Sequence, residues 1–399
     1  MISLTCTKGI RKIEKLSDSI YSDYNVQFST KEIEQNKMGL PSIPEKSVIQ
    51  LASASPIEIL TNLIYYQDSN ITIILGGTTE ILDETLPTHH LSDGLHIGFF
   101  TSGTTGHPKL VIKSAKEIMK HIQKKNTIRP KKLCWGLLYD SEKMAGVQVL
   151  LSAYLRNEDI YCPDPSESPH SKIDLFSKFE VTALSATPSM YKYLLQFSEF
   201  SKLNLVQITL GGESSDSALL KRLIHTFPLA NIRQIYASTE IGEIFTVRDG
   251  QAGFPLEFLY PKHGDEYLRI DTDGNLLVKR DDYWHNTYDL VEIRGERVNF
   301  IGRSDSILSI GGKKVDPIRI QSALLSIPMI MDAFVGGIPS SILGTAIVAD
   351  VVMAGSEPFD EKAIRETLSR HVSKIEIPAI IRNVDRIKLN SNGKRTLGS

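Results

Sequence analysis

Apolar positions along the chain change period several times, and each change marks an element. Ser47 to Ala52 is apolar and β-prone. Ser55-Pro56 then reads as a helix N-cap followed by proline at the first helical position, and Ile57, Leu60, Leu63 and Ile64 recur at helical spacing. The β-branched run Ile71 to Leu75 stops at Gly76-Gly77. The alternation continues. Leu133 to Leu138 predicts a strand and Met144 to Leu155 a helix. Short apolar runs at Ile160–Cys162, Val181–Leu184 and Val206–Leu210 are separated by helical patterns at Ile173–Phe179, Pro188–Phe197 and Ser215–Phe227. Short strands between helices predict an α/β fold built on mostly parallel sheets flanked by helices.

The texture changes after about Glu243. Short strand candidates follow at Tyr267–Ile270, Leu276–Lys279, Val291–Ile293 and Val298–Ile301, with a turn at Asp273-Gly274, and together they predict a small β-rich part. Beyond Arg303 the pattern is α+β. Strands are expected at Ile307–Ile310, Ala333–Gly337, Ala346–Val352 and Ala379–Ile381, with helices at Pro317–Leu325 and Asp360–His371. The expected domains are a large N-terminal one over residues 1–302 and a small C-terminal one over 303–399.

Composition narrows the class. A 399-residue chain that is 41% hydrophobic and 23% charged is long enough for a real core in two to three domains. A net charge of −2 supplies no field for nucleic acid or an acidic membrane. No apolar run reaches membrane-spanning length, and the N-terminus lacks the apolar stretch of a signal peptide. Cys6, Cys134 and Cys162 fit neither a disulfide framework nor a metal pattern, so a reducing cytoplasm is the expected location.

Several segments carry candidate chemistry. Thr101 to Lys109 reads T-S-G-T-T-G-H-P-K between β-like runs; its hydroxyls, glycine backbone amides and lysine suit a polyphosphate clamp, or else a polar hairpin tip. The Walker A spacing is absent. Y-A-S-T-E, Tyr236 to Glu240, follows the strand-like Ile232–Ile235. A carboxylate there sits where α/β sheets bind ligands, so Glu240 suits Mg²⁺ and Thr239 a phosphate; alternatively the pair caps a following helix. Gly211-Gly212-Glu213, also after a strand, admits a flat ligand to the backbone or simply turns. Asp289 with Arg303 can grip vicinal hydroxyls. I-G-G-K-K-V begins at Ile310, and S-N-G-K ends at Lys394.

In this order the segments resemble the adenylate-forming superfamily of acyl- and aryl-CoA synthetases, luciferases and peptide-synthetase adenylation domains, over Leu95 to Lys394. The resemblance implies a fold with a large N-terminal domain and a small mobile C-terminal domain. It implies an enzyme that uses ATP and Mg²⁺ to make an acyl-AMP, then passes the acyl group to the pantetheine thiol of CoA or of an acyl or aryl carrier protein. Thr101, Ser102, Gly103, Thr104, Thr105, Gly106 and Lys109 would bind the β- and γ-phosphates. Gly211, Gly212, Glu213 and Tyr236 would frame adenine, Thr239 would touch the α-phosphate and Glu240 would ligate Mg²⁺. Asp289 and Arg303 would hold the ribose, Asp305 would be the hinge, Gly312 would line the thiol tunnel, and Lys394 would reach the carboxylate and α-phosphate.

The chain departs from the family pattern in three places. Only 100 residues precede Thr101, which suggests a trimmed N-terminal subdomain as in short members serving secondary pathways. Lys314 replaces a common arginine, losing its planar fork. T-Y-D at Thr287–Asp289 replaces T-G-D. For the acid pocket, Lys143 and Met144 stand nearest the acid, with Pro188 and Ala237 among other walls that are all small, and an aromatic or medium-chain acid fits; Lys143 either pairs with a substrate carboxylate or hydroxyl or is simply an exposed lysine. The basic run from Lys113 to Lys132 reads as a solvated face, or a dock for an acidic carrier protein or the phosphates of CoA. The alternatives are an amino-acid-activating protein, with Asp140 as the amine partner, and a non-catalytic nucleotide-binding homologue.

Overall fold

Short β-prone runs spaced by amphipathic ones produce two largely parallel sheets in the first of two units, Met1–Gly250 and Gln251–Ser399. The computed structural model describes residues 3–7, 10–14, 26–28, 33, 40–52, 54–77, 93–102, 108–123, 132–261, 266–280, 282–340, 344–354, 358–389 and 395–398. The expected domain boundary at 302/303 lies inside the second unit.

In the first unit, strands β1 (Ser3–Thr7), β2 (Ile10–Glu14), β4 (Val48–Leu51), β5 (Thr72–Leu75), β6 (His96–Ser102) and β7 (Pro108–Ser114) form one sheet in the order β1-β2-β4-β5-β6-β7. Pairs from β2 to β6 are parallel and the two outer pairs antiparallel. Helix α1 (Pro56–Tyr65) connects β4 to β5. Its start is fixed by Pro56 and by the Ser55 hydroxyl, which accepts from the Glu58 amide. Helix α2 (Ala115–Gln123) follows β7.

The second sheet of this unit contains β3 (Val26–Phe28), β8 (Cys134–Leu137), β9 (Asp159–Cys162), β10 (Ala183–Ala186), β11 (Gln207–Gly211), β12 (Asn231–Ser238) and β13 (Gly242–Val247), in the order β13-β12-β11-β10-β8-β9-β3. Its interior pairs are parallel. Helices α3 (Met144–Leu155), α4 (Pro169–Lys178), α5 (Pro188–Leu194) and α6 (Ser217–Thr226) provide the crossovers. Ser168, Thr187 and Asp216 cap α4, α5 and α6 with side-chain oxygens, whereas α3 begins at Lys143, which supplies no side-chain cap. Side chains from α1 (Ile59, Leu63), the first sheet (Ile73, Ile97, Phe99), the second sheet (Trp135, Leu137) and α3 (Val147, Leu150) share one core. Each fully buried apolar side chain contributes about 1.5–3 kcal/mol.

From β8 the chain steps out to β9, then crosses back to β10 on the other side of β8 and proceeds outward to β11 and β12. This reversal is a topological switch point, and open α/β sheets bind ligands at such a point, in the crevice outside the carboxyl ends of the strands, here β8 and β10.

The second unit begins with an antiparallel sheet of β14 (Phe254–Pro255), β15 (Leu268–Ile270), β16 (Asn275–Arg280), β17 (Tyr283–Arg294) and β18 (Arg297–Arg303), in the order β14-β18-β17-β16-β15. The remainder is α+β: hairpin β19 (Leu308–Ile310) and β20 (Lys313–Val315), helix α7 (Pro317–Leu325), strands β21 (Ile330–Ser340) and β22 (Gly344–Met353), helix α8 (Glu361–Leu368), β23 (Ile380–Asn383), and a last pair β24 (Lys388–Leu389) and β25 (Arg395–Thr396). Its core includes Ile320, Leu324, Ala333, Val351, Ile364 and Leu368. No helix among the described residues is long and apolar enough to cross a membrane.

Candidate active site

The S/T/G-rich loop lies between two paired strands. β6 and β7 run together as far as Thr101 opposite Lys109 and Ser102 opposite Pro108, and the Thr101 hydroxyl donates to the Lys109 carbonyl at 3.3 Å. Lys109 is exposed. Gly103, Thr104, Thr105 and Gly106 lie outside the described residues.

Thr239 and Glu240 do not cap a helix. The chain reverses at this point into β13, and the Ser238 hydroxyl accepts from the Ile241 amide at 3.0 Å to close the turn. Gly242 at φ +86° and the β-prone residues after it explain why a strand follows. Glu240 is exposed and Thr239 half-buried. Two residues earlier the β12–β13 register shifts between Tyr236 and Ala237, and the Tyr236 ring stacks on Phe245 with centroids 5.0 Å apart. The Lys113 ammonium on β7 donates to the Glu240 carbonyl, which ties the strand leaving the S/T/G-rich loop to the turn that carries Glu240.

A second lysine makes a similar link. Lys143 lies at the start of α3, beside the crevice; its ammonium donates to the Phe100 carbonyl at 3.4 Å, one residue before Thr101. That is its side chain's only bond among the described residues. Met144, next to it, is buried. Asp140 accepts from the Glu142 amide at 2.8 Å and so helps hold the shape of this loop.

Tyr139 is the residue the sequence reading missed. Its hydroxyl donates to the Gly211 carbonyl at 3.2 Å and accepts from Ser185. Burial pushes the phenol's pKa well above its ordinary value, against the opposing effect of Ser185 and with help from the negative Glu213; it stays protonated and a donor at neutral pH. A tyrosine two residues past a strand end was the available signal, and nothing local distinguishes it from a surface tyrosine. Gly211 ends β11, and Gly212 turns the chain at φ +83°. Glu213 then reaches α5, where its carboxylate accepts from the Ser189 amide at 3.1 Å and hydroxyl at 2.6 Å. A carboxylate at a helix start opposes the positive end of the helix dipole. It also fixes Pro188 relative to the Gly211-Gly212 turn.

In the second unit, Asp289 on β17 stands opposite Arg303 on β18, and their side chains pair at 3.1 Å. The carboxylate is mostly buried, at 17% exposure, while the guanidinium is 46% exposed. Such a fixed acid beside a cation can accept from one hydroxyl of a diol while the cation donates to the other. Asp305 lies in the single 3₁₀ turn Ser304–Ser306 that leads from this sheet to β19. Gly311 and Gly312, at φ +54° and +80°, make the β19–β20 turn, and a Cβ added at Gly312 would meet nothing within 4 Å. Lys394 lies outside the described residues.

No cluster of three or more His, Cys, Asp or Glu occurs among the described residues. The donor set nevertheless fits Mg²⁺ held chiefly by phosphate, because that ion commonly keeps its waters and takes only one or two carboxylates alongside substrate phosphates. Glu240, exposed at its turn, can be that carboxylate.

Comparison with known proteins gives concordant results. The family described as AMP-binding enzyme matches residues 44–281, and its C-terminal domain matches residues 319–394. A 3,4-dihydroxybenzoate–[aryl-carrier protein] ligase of Bacillus anthracis is 23% identical over 366 residues, covering 88% of this chain and 84% of that protein. ATP-bound MatB from Rhodopseudomonas palustris has a similar fold, with TM-score 0.65 at 17% identity, over 91% of this chain and 89% of that one. So does MenE from Bacillus subtilis, the o-succinylbenzoate CoA synthetase solved with its acyl-adenylate, with TM-score 0.61 at 17% identity over 92% and 90%.

Proposed function

Because the chain belongs to the AMP-binding enzyme family, we propose that it is an AMP-forming acid–thiol ligase. It activates a carboxylic acid with ATP and passes the acyl group to the pantetheine thiol of CoA or of an acyl or aryl carrier protein. One observation carries this reading. Within the first unit, Lys113 and Lys143 bind the S/T/G-rich hairpin to the Glu240 turn and to the crevice at the β8/β10 reversal. Groups suited to phosphate, to a cation and to an acid are thereby held on one scaffold.

In the first step an oxygen of the acid attacks the α-phosphorus, the bond to pyrophosphate breaks, and acyl-AMP forms. A carboxylate approaching a polyanion is repelled, so the residues must supply positive charge and donors where charge builds up. Thr101 to Gly106 and Lys109 take the β- and γ-phosphates, and Thr239 donates to the α-phosphate. Glu240 would hold Mg²⁺, which would supply positive charge to neutralise the phosphates and polarise the phosphoryl group. Gly211, Gly212, Glu213 and Tyr236 frame adenine, Asp289 and Arg303 hold the ribose, and Lys394 donates to the acid and the α-phosphate. In the second step the thiol sulfur loses its proton and attacks the acyl carbon, and the bond to AMP breaks. Asp305 is the pivot between the two steps, and Gly312 leaves room for the pantetheine.

The acid is an aryl or medium-chain one. Met144, Pro188 and Ala237 are compact walls, and the Tyr139 phenol and the Lys143 ammonium are the polar groups beside the crevice. The Bacillus anthracis relative, named for an aryl acid with two hydroxyls and for an aryl-carrier protein, supports that substrate class and a carrier-protein partner. The test is ATP–pyrophosphate exchange over a panel of aryl and medium-chain acids, followed by thioester formation with CoA and with aryl carrier proteins. Acid-dependent exchange is expected. Exchange with none of the acids would refute the proposal.

A further inference from the structure

Residues 395–398 are fastened to the core of the second unit at three successive points. The Arg395 guanidinium pairs with Asp332 on β21. The Leu397 side chain packs against the backbone of Gly336, also on β21, so closely that a Cβ there would come within 3.0 Å of it. The Gly398 amide donates at 2.7 Å to one carboxylate oxygen of Asp350 on β22, and the other oxygen accepts from Arg382 Nε on β23 at 2.6 Å. The Asp350 side chain is 1% exposed and lies within the run 347–352 of β22, whose other members are buried and apolar. A buried carboxylate is costly unless paired and hydrogen-bonded, and sheet packing alone gives no reason for one in this strand. Just upstream, β24 pairs with β25 through Lys388 opposite Thr396 and Leu389 opposite Arg395.

We infer that Asp350, with the Asp332–Arg395 pair, positions Lys394 for the first half-reaction. The inference rests on the adenylating role proposed above for Lys394. Lys394 is joined in sequence directly to Arg395, which is anchored through Asp332. A cation that acts on a transition state gains from being held before the reaction, and a misplacement on the order of 1 Å can cost about 10²-fold. Asp350 and Asp332 touch no substrate. They act through the lysine, and they should matter only where the lysine acts.

The experiment compares Asp350→Asn, Arg395→Gln, Lys394→Ala and the double variant Lys394→Ala/Asp350→Asn in the full chain. Both half-reactions are measured: pyrophosphate exchange, and thioester formation from supplied acyl-AMP. Asp350→Asn and Arg395→Gln should each lower exchange by about tenfold or more, with thioester formation within about twofold of wild type. The double variant should be no slower in exchange than Lys394→Ala alone, because the tether has nothing left to position. Arg395→Gln carries the test if Asp350→Asn, which leaves Arg382 without its charge partner, fails to fold. Equal loss of both half-reactions in a folded variant would overturn the inference, as would an exchange defect in the double variant that multiplies the two single ones. Wild-type exchange in Lys394→Ala would instead refute the role of the lysine, and the tether's function with it.

Discussion

Gly146→Ala sets two effects of opposite sign against each other at the crevice. Gly146 lies in the first turn of α3, where alanine is intrinsically favoured over glycine by up to about 1 kcal/mol. An added Cβ, however, would lie 2.2 Å from the Asp140 carbonyl oxygen, about 1.2 Å inside the 3.4 Å at which ordinary contact begins, and 2.9 Å from Ser141 Cα. All the obstructing atoms are backbone, so no rotamer change relieves the clash. The same carbonyl accepts from the Lys143 amide at 3.1 Å, and retreat would lose that bond, at a cost of about 1 kcal/mol. Forcing extra volume into a packed site costs about 1–3 kcal/mol, so sterics outweigh propensity and net destabilisation of about 1–3 kcal/mol is expected. The displaced loop carries Tyr139 and Lys143. KM for the acid should therefore rise several-fold while KM for ATP changes little. Urea unfolding with initial-rate kinetics on one preparation measures both. A variant as stable as wild type would refute the close approach, and equal rises in both KM values would refute the assignment of this loop to the acid.

Glu240→Gln should leave folding intact and slow adenylation by about 10²-fold or more, the scale for losing a preorganised charge-stabilising group, with altered Mg²⁺ dependence; unchanged rate and metal response would contradict its role. Lys143→Met keeps the side chain's length and removes its charge, so activity should shift from hydroxylated or doubly acidic substrates toward plain aryl or alkyl acids, read as the ratio of kcat/KM values. Asp216, N-cap of α6, gives a pH prediction. Burial raises its pKa, but hydrogen bonds from Lys192 and from the Leu219 and Ala218 amides, with the lysine's charge, outweigh this and hold it below the ordinary 3.8. Because the folded value is the lower one, its contribution is fully present above the unfolded value and is lost as pH falls through the folded value. Asp216→Asn keeps a capping side chain but removes the charge facing Lys192 and the helix start, so it should destabilise by about 0.2–1 kcal/mol at pH 7, and the gap should narrow below about pH 4, measured by urea midpoints.

Much of the fold is legible because the parallel strands and their helices carry separate signals. Met144–Leu155 was expected and found as a helix with those bounds, and Ser55-Pro56 starts α1 as its chemistry dictates. Strands β1 to β3 gave no such signal: S-L-T-C-T and I-R-K-I-E are short and mixed, and although β1 pairs with the adjacent β2, β2 joins the sheet through β4 and β3 joins through β9, both farther along the chain. β17 extends eight residues before the expected Val291, because Tyr283 to Leu290 is held by pairing with β16 and β18 more than by burial. At the site, the sequence shows which segments carry hydroxyls, carboxylates and lysines. It does not show the links of Lys113 to the Glu240 turn, Tyr139 to Gly211, or Glu213 to Ser189, since each joins residues at least 24 positions apart.

The central claim is that an oxygen of the acid attacks the α-phosphorus of ATP. It is tested most directly by oxygen-18 in the carboxylate of whichever acid supports pyrophosphate exchange, with the nucleotide product analysed by mass spectrometry after thioester formation. Attack at the α-phosphorus leaves one labelled oxygen in AMP for each thioester formed. Unlabelled AMP, or ADP and phosphate in its place, would contradict the account.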